Sequence, residues 1–206
     1  MRSSDPADQY LKLIHGRFEP NLQTLCRRVL SEGAVAMDVG ANIGATALIM
    51  SAFVGQGRVI AVEPGPKAFA ALCANVQANG AGAVECHNYA LSSDGGRTVF
   101  LEDSSFGHLD LDASPGLDDP RAVSVRTLDD LVESLGLQRL DFLKIDTEGF
   151  EPQVLAGAQA ALARFAPIIY LELNAWTLLA HGGNNLLEFL RALTEQYPHM
   201  ARVKRF

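Results

Sequence analysis

The residues best suited to chemistry fall where apolar runs end. Asp38-Val39-Gly40-Ala41-Asn42-Ile43-Gly44 closes one run with an acid and a glycine turn, and a helical pattern begins at once. The next apolar run ends in Val62-Glu63-Pro64-Gly65, a second acid before a second turn. A strand, a glycine turn and a helix, followed by an acid at the tip of the neighbouring strand, can hold a nucleotide-like ligand. The second acid then accepts hydrogen bonds from a ribose.

The glycine spacing discriminates among such ligands. A dinucleotide site needs G-x-G-x-x-G or G-x-G-x-x-A, whose middle glycine lets the backbone approach the pyrophosphate. Here Gly40 and Ala45 would be the ends, and the side chain of Asn42 obstructs the middle. S-adenosylmethionine has no pyrophosphate and tolerates Asn42. Its ammonium suits an acid such as Asp38, and Glu63 can take both ribose hydroxyls. A carboxylate at Glu63 also disfavours the 2′-phosphate of NADP. The competing explanation is a glycine-rich turn with incidental acids.

The elements that must position these groups alternate between strand and helix. Glu19-Pro20 opens a helix with an apolar stripe through Leu22, Leu25, Cys26, Val29 and Leu30. Strands are expected over Val35–Val39, Arg58–Glu63, Val84–Tyr89, Leu140–Ile145 and a buried Ile168–Leu173, with extra extended segments at Arg97–Leu101 and Val123–Arg126. Helices are expected after Gly44, up to Asn79-Gly80, after Thr127 with Asp130 three residues on, after Glu151-Pro152, and through Leu187, Leu190 and Leu193. Residues 102–120, polar and rich in acids, Ser, Gly and Pro, read as one long loop. The pattern is an α/β three-layer fold, a mostly parallel sheet with helices on both faces.

At 206 residues the chain reads as a single domain. It divides into an N-terminal helical extension (1–33), a core carrying the motifs (34–174), and a C-terminal helix with an edge strand (175–206). A net charge of −7 argues against nucleic-acid partners, and Arg27-Arg28 reads as a solvated helix face. No apolar run is long enough to span a membrane, and no charged leader precedes an apolar block. Cys26, Cys73 and Cys86, without C-x-x-C spacing, read as free thiols in a reducing, cytoplasmic setting.

Six segments taken together resemble the FkbM-type S-adenosylmethionine-dependent methyltransferases, a Rossmann-like class acting mainly on hydroxyl oxygens. They are DVGANIG (Asp38–Gly44), VEPG (Val62–Gly65), NYALS (Asn88–Ser92), VRTLDDL (Val125–Leu131), FLKIDTEGFE (Phe142–Glu151) and YLELN (Tyr170–Asn174). The resemblance implies a seven-stranded sheet whose last strand is antiparallel. It implies a cofactor site lined by Asp38, Gly40, Asn42, Gly44 and Glu63, with Asn88, Ala90 and Leu91 near the adenine; Asn88 could instead cap a strand end. Pro198 to Phe206 leave room for one closing strand where the family has a pair. The expectation is therefore a trimmed fold, a fragment of a longer chain, or an open edge completed by another copy.

Methyl transfer to a hydroxyl needs in-line alignment and either a positioned base or a cation that lowers the hydroxyl pKa. Such groups belong at the C-terminal edge of the sheet. If the strand stays extended, Lys144, Asp146 and Glu148 share one face. Asp146 is expected near the acceptor, with Glu148 orienting it or the loop; the alternative is a salt-bridged strand end with Glu148 at a helix N-terminus. Glu172 is expected to approach Asp146, where two carboxylates could share a proton or bind Mg²⁺, but the ligands are too few to name a metal.

His108, in the polar segment, suits a general base over the site or is a surface residue. His15, His87, His181 and His199 lack a comparable context. The same polar segment contains Asp110 and Asp112, but its glycine is out of calcium-loop register and Arg121 stands where the terminal Glu belongs, which argues against calcium. Trp176 either stacks on a sugar face or packs in the core. His181-Gly182-Gly183, with no G-x-S-x-G elbow in the chain, reads as a flexible turn bordering the substrate. The expected activity is O-methylation of a hydroxyl on a sugar, glycan or secondary metabolite. The competing reading is a non-catalytic cofactor-binding domain of a larger biosynthetic protein.

Overall fold

The apolar runs that end in acids become adjacent parallel strands, so their acids meet at one edge. The computed structural model describes residues 19–102, 107–110, 116 and 119–203; His15, Asp112 and residues 204–206 lie outside them. In chain order the first elements are α1 (Pro20–Val29), β1 (Val35–Val39), α2 (Ala45–Val54), β2 (Arg58–Val62), α3 (Pro66–Ala78), β3 (Val84–His87) and β4 (Ala90–Leu91). Next come β5 (Gly96–Glu102), β6 (Gly107–Asp110), β7 (Ala122–Arg126), α4 (Leu128–Ser134) and β8 (Phe142–Ile145). The chain continues through α5 (Glu151–Ala156), α6 (Gln159–Phe165), β9 (Ile168–Leu171), α7 (Ala175–Ala180) and α8 (Leu186–Gln196).

Five strands form a sheet in the order β3-β2-β1-β8-β9, every neighbouring pair parallel. Successive side chains of a strand face opposite sides. Val35, Met37, Val39, Ile60, Val62, Leu143 and Ile145 therefore enter one core with α4, α5, α6 and α8. Ala36, Val59, Ala61 and Phe142 enter the other with α1, α2 and α3. This is the expected three-layer arrangement. Asp38 and Lys144, cross-strand partners in the β1–β8 register, occupy that second face near the strand ends. Arg27 and Arg28 are exposed on α1, and Thr127 Oγ1 accepts from Asp130 N at 3.0 Å.

The sheet departs from the seven-stranded expectation. Among the described residues it has five strands and no antiparallel member, while β4, β7, β5 and β6 form a separate four-stranded sheet. The segment expected to be a loop contains β6. Gly107-His108-Leu109-Asp110 carries one apolar residue and too little alternation to announce itself. It becomes a strand because Leu109 pairs opposite Phe100 and both are buried with Ala90, Val123, Val125 and Phe150. His108 therefore stands on a strand, opposite Leu101, rather than in a loop.

Three further corrections concern the C-terminal third. The segment after Glu151 is two helices, not one, divided at Gly157, where a Cβ would lie 2.0 Å from the Ser92 carbonyl oxygen. β9 is a partly exposed edge and not a buried strand: Ile168 is 46 % exposed, and β8 is its only partner among the described residues. Residues 175–196 supply two helices, and residues 198–203 form no strand.

Candidate active site

The loop after β1 is shaped by backbone constraints. Gly40 adopts φ +78°, and a Cβ there would lie 1.8 Å from the carbonyl oxygen of Asp146, so only glycine fits. Its amide and that of Ala41 both donate to Val62 O at 3.0 Å, laying the loop across the end of β2. Asn42 is left-handed at φ +50°, a conformation its short polar side chain tolerates. Gly44, at φ +87°, precedes α2, where a Cβ would meet Leu72 Cδ1 at 2.5 Å.

That loop aims a main-chain donor at Glu63. Asn42 N donates to Glu63 Oε2 at 2.8 Å, and Gly65 N donates to Oε1 at 2.8 Å. Each oxygen keeps a second lone-pair direction for a ligand hydroxyl. Burial pushes the Glu63 carboxyl up to about 7, with the two amides working in the opposite direction. Asn88 Nδ2 donates to Glu63 O at 2.8 Å and to Pro64 O at 3.1 Å. The Asn88 side chain thus ties the end of β3 to the turn after β2. Ala90 is buried in the core beneath the second sheet.

Asp38 lies deeper than the sequence suggests. Its carboxylate is fully buried; Thr46 Oγ1 donates to Oδ2, and Lys144 Nζ lies 3.3 Å from Oδ1 in a charge contact rather than an aligned hydrogen bond. Lys144 Nζ also donates to Asp146 Oδ2 at 3.2 Å. Burial raises the Asp38 pKa against the pull of Lys144 and Thr46. Burial works against the Lys144 ammonium too, but the carboxylates of Asp38 and Asp146 together outweigh it and hold its pKa high. One cation on β8, held between two carboxylates, therefore joins β1 to the turn after β8. Asp38 meets its own protein's ammonium, and Asp146, partly exposed, carries the outer end of the chain.

Extension does not continue to Glu148. β8 ends at Ile145, and Glu148 turns back at φ +53°. Lys144 and Asp146 share a side, as expected, while Glu148 belongs to a tight turn. Glu151, which the sequence offers only as a helix start before Pro152, organises that turn. Its Oε1 accepts from Thr147 N at 2.9 Å, Thr147 Oγ1 at 3.1 Å and Gly149 N at 3.2 Å.

Beside the turn lies a cavity of about 370 Å³ lined by Gly107, His108, Glu148, Asn174, Trp176, Thr177 and His181. His108 and His181 stack with centroids 4.1 Å apart and planes 7° apart, and Trp176 stands perpendicular to His181 at 5.3 Å. Trp176 is 68 % exposed, so it is not a core residue. His181, without context in the sequence, is brought onto His108 by the fold. Burial and the charges of Asp146, Glu151 and Glu172 raise the Glu148 pKa, with His181 opposing. Glu172 thus acts on Glu148, but among the described residues no group of three His, Cys, Asp or Glu side chains could hold a metal ion.

The ring of Phe100 stands against both Gly65, beside Glu63, and Gly107, in the cavity lining. A Cβ on Gly65 would lie 2.7 Å from Phe100 Cε1, and one on Gly107 would lie 2.2 Å from Phe100 Cζ. The second sheet therefore packs against the turn after β2 through one aromatic ring.

A parallel sheet between helical layers, with a glycine loop laid against an acid-tipped second strand, defines the class: a Rossmann-like nucleotide-binding architecture. Solved structures agree on the fold. The FkbM methyltransferase of Methylobacillus flagellatus KT superposes with a TM-score of 0.57 at 21 % identity, over 82 % of this chain and 39 % of that one. The precorrin-6y C5,15-methyltransferase of Geobacter metallireducens GS-15 gives 0.53 at 16 %, over 91 % and 76 %. The family model for the FkbM methyltransferase domain matches residues 38–197, and the chain belongs to that family.

Among curated relatives, the hexuronic acid methyltransferase AglP of Haloferax volcanii is 32 % identical over 161 residues, covering 77 % of this chain and 64 % of AglP. Methyltransferase 1 of Beauveria bassiana is 28 % identical over 141 residues, 59 % of this chain and 57 % of the relative. The chain thus spans less than two thirds of the length of both. Among the described residues, no helix is long and apolar enough to cross a membrane.

Proposed function

We propose that the chain is the catalytic domain of an S-adenosylmethionine-dependent O-methyltransferase acting on a hydroxyl of a sugar or glycan, within a wider class of small-molecule acceptors. The observation that carries this reading is the Glu63 carboxylate, fixed by the amides of Asn42 and Gly65 with two acceptor directions left over. Those directions suit the two ribose hydroxyls of the cofactor. Gly40, Asn42 and Gly44 shape the loop that approaches its amino-acid end. Asp38 acts there indirectly, by holding Lys144 charged, and the adenine lies toward Asn88 and Ala90 at the end of β3. The bound sulfonium supplies a methyl carbon already open to nucleophilic attack.

The chain's own contribution is then alignment and proton handling. Asp146, at the outer end of the Lys144 chain, is partly exposed, and its main chain packs against Gly40 in the loop after β1. Glu148 and His108 line the acceptor side. Trp176 offers an exposed aromatic face of the kind that packs on a sugar, and the hexuronic acid acceptor named for AglP supports a carbohydrate.

The test is transfer of label from S-adenosylmethionine to methyl β-D-glucoside and methyl β-D-glucuronide. Asp146→Asn should lower turnover by at least about 100-fold while cofactor affinity stays within about threefold. Equal loss of both would move Asp146 into the cofactor site. Label released by mild base would mark a carboxylate oxygen as acceptor. Cofactor binding without any transfer would favour a non-catalytic domain.

A further inference from the structure

We infer that His181 is the general base of the transfer, taking the acceptor hydroxyl proton on Nε2 because the Glu148 main-chain carbonyl fixes its Nδ1 as the protonated nitrogen. The inference rests on the O-methyltransferase reading above and adds the identity of the proton acceptor.

Nδ1 of His181 lies 3.0 Å from Glu148 O. A carbonyl oxygen only accepts, so Nδ1 carries the hydrogen, and in the neutral ring Nε2 holds the free lone pair. The ring cannot easily turn away. His108 stacks on it at 4.1 Å, Trp176 stands perpendicular to it at 5.3 Å, and the His181 amide donates to Thr177 O at 2.9 Å. A ring with one nitrogen engaged and its orientation fixed is the arrangement a base requires; here a carbonyl orients it where other sites use a carboxylate.

The carbonyl is itself built into place. Glu148 at φ +53° and Gly149 at φ +109° form a turn clamped by Glu151. A Cβ on Gly149 would lie 2.2 Å from Thr177 O, and one on Gly182 would lie 2.1 Å from Gly149 O. Glycine at both positions lets the turn after β8 touch the end of α7, which delivers Glu148 O to the imidazole. Asn184 N donates to Leu178 O at 2.8 Å and Asn184 Nδ2 to Gly182 O at 2.6 Å, closing the turn that carries His181.

In the reaction the acceptor oxygen forms a bond to the methyl carbon, and the carbon–sulfur bond breaks with its electron pair going to sulfur. The hydroxyl proton moves to His181 Nε2, and the resulting imidazolium returns it to water through the open cavity. The titratable groups facing His181 are His108 from β6 and Glu148 from the turn, with Asp146, Glu151 and Glu172 acting on Glu148.

The test begins on the unliganded protein, with ¹⁵N-labelled histidine read by two-dimensional NMR at pH 8. The expected result is His181 with Nδ1 protonated and Nε2 bare, retained in His108→Phe, which keeps a stacked ring. An Nε2-protonated tautomer overturns the inference. With methyl β-D-glucoside as acceptor, His181→Ala should lower kcat by about 10²–10⁴-fold and recover in part with added imidazole. Cofactor affinity should change less than about threefold, where a structural role would disturb both. Wild-type turnover in His181→Ala overturns the inference and leaves the methyltransferase reading standing. Loss of cofactor binding in the wild type defeats that reading instead, while the tautomer still decides the hydrogen-bond geometry claimed here. Transfer only to a carboxylate oxygen, which needs no base, also overturns it.

Discussion

The two halves of the site are built from different materials. Around Glu63 the parts are backbone: left-handed Gly40 and Asn42, and main-chain amides donating to one carboxylate. Around the cavity they are side chains from three distant segments, with His108 on β6, Glu148 in the turn after β8, and Trp176 and His181 on or beside α7. A feature common to all ligands of a class can be fixed by the chain's own path. A feature that must differ between acceptors is carried on replaceable side chains.

The comparison is broken most severely at Gly40, which belongs to both halves. Gly40→Ala puts a methyl 1.8 Å from the Asp146 oxygen and forces alanine to φ +78°, so the loop after β1 and the turn after β8 must part. The expected cost is at least about 3 kcal/mol, seen as a lowered thermal midpoint, together with loss of cofactor binding.

Next comes the charged link. Lys144→Met leaves Asp38 buried without its cation, which should cost about 3–5 kcal/mol by denaturant unfolding. Lys144→Met combined with Asp38→Asn should recover a large share of that loss. If the double variant is as unstable as the single one, charge compensation is not what Lys144 provides.

The smallest effect sharpens the contrast. Trp176 is so exposed that Trp176→Ala should change stability by no more than about 0.5 kcal/mol. Acceptor KM should rise about 2- to 10-fold with cofactor affinity unmoved, as expected for loss of one aromatic contact. A shift in cofactor affinity instead would mean that the two halves are not separate.

The same division explains what the sequence discloses. Asp38 to Gly44 and Glu63 are legible because local spacing fixes a turn and an acid-tipped strand. The three-layer order follows from alternating patterns. The depth of Asp38 was not legible, since nothing local pairs it with Lys144, 106 residues away in the neighbouring strand. β6 was hidden because one leucine carries its burial, and its pairing with β5 is a tertiary fact. A lone tryptophan usually packs inside, so its exposure could not be read. Glu151-Pro152 announces a helix, and only the turn's geometry shows that Glu151 holds three donors.

The central claim is that Glu63 grips the ribose hydroxyls, and its titration supplies the most direct measurement. Burial raises its pKa from 4.5 to about 7 in the folded protein. The folded value lies above the unfolded one, so this group's stabilising contribution is complete below about 4.5 and is lost as pH rises through about 7. Ribose hydroxyls donate to the ionised form, so binding has the opposite trend. Calorimetric titration with S-adenosylmethionine should show affinity rising as pH passes through about 7 and levelling above it. Glu63→Gln should bind more weakly and lose the rise, and NAD should bind worse than S-adenosylmethionine throughout. Equal affinity and an equal pH profile in wild type and Glu63→Gln would contradict the account.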